Sequence, residues 1–232
     1  MIKKEKISLQ VSDGIKMGAY VARPDDKEKH PGVLVFQEAF GVNAYIRNIA
    51  ERFANEGYIA IAPELFYRTH PGFEGSYTDF DRAPMAGLSD ENLEADARAA
   101  FEWLKNEPQL DGNKIASIGF CMGGRVSYLA NSILPLKAAI SFYGGNIAPS
   151  LLGRAEALHG PMLFFWGGLD AHIGQDQRRA VIDALAAAKK VYANIEFSDA
   201  NHGFFCDQRT SYNKEASLQA WPMTLQFLKT YL

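Results

Sequence analysis

Short apolar runs of strand length alternate with stretches whose apolar residues return every three or four positions, and this rhythm fills most of the chain. Val33-Leu34-Val35-Phe36, Tyr58-Ile59-Ala60-Ile61-Ala62, Ala138-Ala139-Ile140-Ser141-Phe142 and Pro161-Met162-Leu163-Phe164-Phe165-Trp166 read as strands buried on both faces of a parallel sheet. The run 192–197 is the last strand. Between them lie helical patterns. One follows Asn43, with Ile46, Ile49, Ala50 and Phe53 on one face and Gly57 placed to end it. Another starts at Ser89, a capping residue before an acidic first turn, and lines up Leu93, Ala97, Ala100, Phe101 and Leu104. Further helices are expected over about 123–131, over 175–189, and at the end of the chain, where Pro222 is expected to kink the helix or delay its start.

Residues 4–24 behave differently, as two strand-like stretches around the turn signal Ser12-Asp13-Gly14, which predicts an antiparallel edge hairpin. A strand is expected after Asp111-Gly112, running to Cys121. After the hairpin the order is β, α, β, α, β, α, β, β, α, β, α, which predicts an α/β fold with a mostly parallel central sheet and helices on both faces. With no repeat, linker or low-complexity segment, residues 1–232 read as a single domain. Residues 64–88 have no period and carry Phe66, Tyr67, Phe73, Tyr77 and Phe80. Such a stretch is either a functional loop or a surface excursion sealed down by its aromatics.

Composition narrows the partners. A formal net charge of −3, with 22% charged residues, gives no reason to expect nucleic acid or an anionic membrane. No signal peptide is visible at Met1-Ile2-Lys3-Lys4-Glu5-Lys6, and no apolar run approaches a spanning helix, so the expected location is cytoplasmic. The two cysteines, Cys121 and Cys206, lack paired zinc-site spacing and read as free thiols in a reducing compartment. No metal and no cofactor is called for.

The chemistry concentrates at Gly119-Phe120-Cys121-Met122-Gly123-Gly124. It is a strand, a glycine-dense turn and a helix start, in the spacing G-x-C-x-G. A nucleophile on such a turn sits on strained backbone between small residues, and the helix start favours a thiolate and an oxyanion. The plainer reading is a buried free cysteine. A thiol nucleophile needs a base, and the base needs an orienting acceptor. Asp170 follows Trp166-Gly167-Gly168-Leu169, with Asp176 its nearest competitor, and His202 lies in Asp199-Ala200-Asn201-His202-Gly203-Phe204. Both fall beyond strands, where functional loops of such sheets collect. His30 precedes a strand, His70 and His159 sit in loops, and His172 is too close to Asp170 to be its natural partner. The order Cys, Asp, His is the one described for α/β-hydrolases. Glu38, in Gln37-Glu38-Ala39-Phe40-Gly41, either interacts with the thiol proton or pairs with an arginine and shapes its loop.

Together these motifs resemble the dienelactone hydrolase family (carboxymethylenebutenolidases) over nearly the whole chain. The resemblance implies an α/β-hydrolase fold without a large lid and a Cys121-His202-Asp170 triad, with Glu38 holding or taking the thiol proton until substrate arrives. It implies attack of Cys121 on an enol-lactone carbonyl, with the Met122 and Ala39 amides holding the oxyanion and a thioester as intermediate. Family members bind a substrate carboxylate through arginines. Four residues after His202 this chain carries Cys206, which leaves Arg209, Arg82 and Arg125 as candidates; Tyr143 either lines the pocket or packs in the core. The implied partner is a small lactone or ester, with the protein a monomer or dimer. The alternatives are a carboxylesterase or thioesterase on the same machinery, and a redox-sensing or non-catalytic protein in which Cys206 resolves an oxidised Cys121.

Overall fold

A computed structural model describes residues 1–232. The hairpin forms as expected: β1 (Ile2–Gln10) and β2 (Lys16–Pro24) pair antiparallel from Ile2 opposite Pro24 to Gln10 opposite Lys16. Asp13 Oδ1 accepts the Ile15 N–H at 2.9 Å and closes the turn. β3 (His30–Phe36) and β4 (Ile59–Pro63) pair parallel, and β2 runs antiparallel to β4. β5 (Leu110–Phe120), β6 (Ala138–Phe142), β7 (Met162–Gly167) and β8 (Tyr192–Phe197) complete a mostly parallel eight-stranded sheet in the order β1-β2-β4-β3-β5-β6-β7-β8. Every residue of β4, β6 and β7 is buried, which is why these strands read as unbroken apolar runs. β8, at the far edge, alternates half-buried and exposed positions.

The helices fall where the patterns put them: α1 (Ala44–Asn55), α2 (Asp90–Lys105), α3 (Met122–Ile133), α4 (Gln175–Ala187) and α5 (Lys214–Tyr231). Asn43 caps α1 through the Ile46 N–H, and Ser89 caps α2 through the Asn92 N–H at 3.1 Å. Two expectations are corrected. β5 begins at Leu110 and runs through Asp111-Gly112, with Gly112 absorbing a φ of +58° inside the strand instead of marking a turn before it. α5 runs unbroken through Pro222, having been started earlier by the Asn213 side chain, which accepts the Ala216 N–H.

The chain forms two compact units, Met1–Ser117 and Ile118–Leu232. In the first, α1 and α2 pack on the strands. Residues 64–88 are tied down at their root by a buried ionic cluster. Arg68 makes a two-pronged contact with Asp96 of α2 at 2.9 Å for each prong, and its Nε donates to Asp13 in the hairpin turn. The Tyr67 hydroxyl donates to Asp96 at 2.9 Å. Burial pushes the Asp96 carboxyl above its ordinary value, against the pull of Arg68. In the second unit α3 and α5 pack on β6, and the tilted rings of Phe120, Phe142 and Phe165 meet with centroids 5.0 and 4.4 Å apart.

Asp96→Ala leaves the Arg68 guanidinium without its buried partner, and is expected to lower the unfolding free energy by about 3–5 kcal/mol. A denaturant titration of wild type and variant checks this; a loss below about 1 kcal/mol contradicts it.

Candidate active site

The elbow is built by sterics. Cys121 follows β5 and caps α3 with φ 55° and ψ −119°, a conformation that side chains rarely adopt and that costs about 1–3 kcal/mol. A Cβ on Gly119 would run into the Gly123 carbonyl, so only glycine lets the strand and the first turn of the helix pass this closely. The Cys121 N–H donates to the Phe142 carbonyl at 3.0 Å, and its own carbonyl accepts the Gly124 N–H at 2.9 Å. The turn therefore holds its strained residue from both sides. Met122 supplies the first amide of α3, one of the N–H groups a helix leaves without an intrahelical acceptor.

Asp170 and His202 meet because the loops after β7 and β8 touch at their glycines. Gly167 lies against the Ala200 and Asn201 carbonyls and Gly168 against Ser198, closer than any side chain would allow. Backbone bonds from Gly168 to Phe197 and from Leu169 to Ala200 lock the two loops together. The His202 ring is then 2.8 Å from Asp170, Nδ1 to Oδ2. Asp170 Oδ1 accepts the N–H groups of His172 at 2.8 Å and Ile173 at 3.2 Å. Beyond His202, Phe204 and Phe205 are buried against Phe142, so the histidine loop is anchored in the aromatic cluster. The Cys121 side chain lies near enough to the same imidazole to favour its charged form. The three residues read from the sequence are thus brought together within one unit.

Their charges are coupled. Burial opposes the charged imidazolium, but the hydrogen bond to Asp170, with the nearby Cys121 side chain and the Asp170 charge, outweighs it and pushes the His202 pKa up to about 10. Burial likewise opposes ionisation of Asp170, yet the His202 bond and charge, with the two backbone N–H groups, hold its carboxyl below the ordinary value. With Nδ1 committed to Asp170, Nε2 is the ring atom that can exchange a proton with sulfur. A nucleophile, a base and an orienting acceptor suffice for acyl transfer. Asp176 lies instead in the first turn of α4. No group of three or more His, Cys, Asp or Glu is arranged to hold a metal ion, and no helix is long and apolar enough to cross a membrane.

The remaining candidates are placed as follows. The Arg209 guanidinium fills the space beside the Gly203 Cα, directly after His202. Arg125 Nε donates to the Asn146 carbonyl at 3.3 Å. Arg82 is exposed, its guanidinium 5.8 Å from the centre of the Phe80 ring. Tyr143 is fully buried at φ 39°, its ring 5.2 Å from that of His202. In the first unit Glu38 is wholly buried and accepts the Tyr77 hydroxyl at 3.1 Å, while Asn43 Nδ2 donates to the same hydroxyl at 3.0 Å. Ala39 is buried beside it.

In residues 64–88, Phe66 and Tyr67 are buried and seal the segment down, and Tyr77 reaches the buried Glu38 carboxylate. That Tyr77 binds Glu38 has no sequence signal beyond an aromatic in an aperiodic stretch. The His172 ring is not the imidazole on Asp170, but its backbone N–H binds that carboxylate, and its ring lies edge-on to His202 at 5.1 Å. The turn Asp170-Ala171-His172 is the available signal, since an aspartate often accepts the N–H two residues on.

Residues 17–232 match the model of the dienelactone hydrolase family. A provisionally named carboxymethylenebutenolidase of Synechocystis sp. is 35% identical, across 95% of this chain and 94% of that one. One of the same provisional name from Escherichia coli K12 is also 35% identical, over 95% and 84%. The crystal structure of a provisionally assigned dienelactone hydrolase from Klebsiella pneumoniae superposes over the full length of both chains, with a TM-score of 0.90 and 32% identity. The chain is a hydrolase of small molecules and belongs to the dienelactone hydrolase family.

Proposed function

We propose that this enzyme opens a small enol-lactone, such as a dienelactone, through a thioester on Cys121. The observation that carries the reading is the strained Cys121 on its elbow, in one unit with a His202 that Asp170 holds by Nδ1. The Cys121 thiolate attacks the lactone carbonyl carbon, and the oxyanion takes N–H bonds from Met122 and Ala39. The ring C–O bond breaks and the leaving enol oxygen takes a proton from His202. Water then attacks the thioester carbonyl, His202 removes its proton, and the Cys121 sulfur leaves with the acid released. Glu38 governs the thiol proton before substrate arrives, a role the family resemblance gives it and its full burial with the Tyr77 bond supports. Residues 1–232 act as one catalytic domain, a reading supported by the family model running unbroken from residue 17 to residue 232. The two free thiols support a cytoplasmic location.

Of the three arginines, Arg209 has the best support as the substrate-carboxylate ligand, because its guanidinium lies against the residue following His202. The redox-sensor alternative is weakened by Cys206, which is fully buried and so badly placed to resolve an oxidised thiol.

The deciding experiment compares dienelactones, saturated lactones and p-nitrophenyl esters on wild type, Cys121→Ser and His202→Ala. The dienelactones should be turned over fastest, and His202→Ala should keep under about a tenth of wild-type turnover. Flat rates across lactones with fast ester cleavage would instead favour a carboxylesterase or thioesterase. Arg209→Ala should raise KM about tenfold for a lactone carrying a carboxylate and leave KM for a neutral ester unchanged.

The raised His202 and lowered Asp170 values also fix a stability profile. A group raised from 6.5 to about 10 contributes stability that is complete below 6.5 and fades as pH climbs toward 10. The lowered Asp170 contributes above its ordinary 3.8 and loses that contribution in acid. Melting temperatures of wild type and His202→Gln from pH 4 to 10 should therefore differ most near pH 5–6 and converge toward about pH 10. A gap that widens in alkali contradicts the assignment.

A further inference from the structure

Arg178 is in an unfavourable place for a cation. It lies in the first turn of α4, where the helix dipole opposes positive charge by about 0.3–1 kcal/mol, and it is only 8% exposed. An apolar residue of similar size would meet neither cost, so the arginine needs a reason. Its contacts supply one. Nη1 donates to the Ile173 carbonyl at 2.7 Å and to the Gly167 carbonyl at 3.3 Å, and Nε lies 3.2 Å from Glu196 Oε2 on β8.

Gly167 and Ile173 flank the loop that carries Asp170. The Ile173 residue is held twice: its N–H binds Asp170 Oδ1, and its carbonyl binds Arg178. Gly167 is the residue whose close approach to Ala200 and Asn201 sets the distance to the histidine loop. Glu196 belongs to the strand that feeds that loop. One guanidinium thus fastens both ends of the Asp170 loop and ties them to the strand leading to His202.

We propose that Arg178 is a positioning residue that holds the Asp170 carboxylate on His202 Nδ1. The proposal rests on the triad reading. A lysine has one ammonium nitrogen, whereas Arg178 sets Nη1 on the two carbonyls and a separate nitrogen, Nε, in an ion pair with Glu196.

The test is a double-mutant cycle on a p-nitrophenyl ester, with Arg178→Met, Asp170→Asn and the two combined. Arg178→Met should lower kcat about tenfold with KM changed by less than about twofold, because a misplaced catalytic group costs rate more than binding. On the Asp170→Asn background the same change should cost less than about twofold, since there is no longer a carboxylate to position. NMR titration of the His202 ring in Arg178→Met should show its proton lost at lower pH than in wild type, a shift that mere loss of stability would not produce. An equal loss in both backgrounds, or an unchanged kcat in a folded Arg178→Met protein, overturns the proposal and leaves the triad untouched. Full activity in Asp170→Asn overturns the triad reading itself and the proposal with it. Should Arg178→Met fail to fold, Arg178→Lys in the same cycle is expected to lose about fivefold in kcat only while Asp170 is present, and a silent Arg178→Lys overturns the proposal.

Discussion

The second unit depends on a buried hydrogen bond between two groups that would each be costly to bury alone. Asp170 is 6% exposed and His202 8%, and each carries a charge that the interior disfavours. Together they reverse that preference, the histidine holding its proton and the aspartate giving up its own. Neither side chain could be replaced singly without stranding the other. The glycine contacts between the β7 and β8 loops, the two N–H groups on Asp170 and the phenylalanines behind His202 all keep this one distance short.

The elbow works by the opposite means. There the chain is forced into a poor conformation and kept there by backbone bonds to Phe142 and Gly124. Strain at Cys121 and relief at Asp170–His202 are complementary: the first fixes where the sulfur stands, and the second holds a charged imidazole in the same unit.

Much of this was readable from residues alone, where the constraint was local. G-x-C-x-G announces a turn that only small neighbours permit, and Gly167-Gly168-Leu169-Asp170 and His202-Gly203-Phe204 follow strands marked by apolar runs. The element order after the hairpin matched throughout. What could not be read were partners distant in sequence with no periodic signal. Tyr77 meets Glu38 across 39 positions, and Arg178 grips the Gly167 carbonyl, which has no side chain to advertise the contact. Local rules also misled where tertiary structure overrode them. Asp111-Gly112 looks like a turn and Pro222 like a break, yet β5 absorbs the first and α5 the second.

Residues 64–88 combine a rigid root with an open middle. Arg68 and Asp96 anchor one end and the Ser89 cap the other, while most of residues 74–82 are exposed and make few demands on the core. Mutation can therefore sample this stretch without endangering the fold, and Tyr77 carries any such change to the buried Glu38. Within residues 1–117, this segment is where sequence change disturbs the fewest buried contacts. The Asp170–His202 contact, set by glycines that admit no side chain, tolerates far less change.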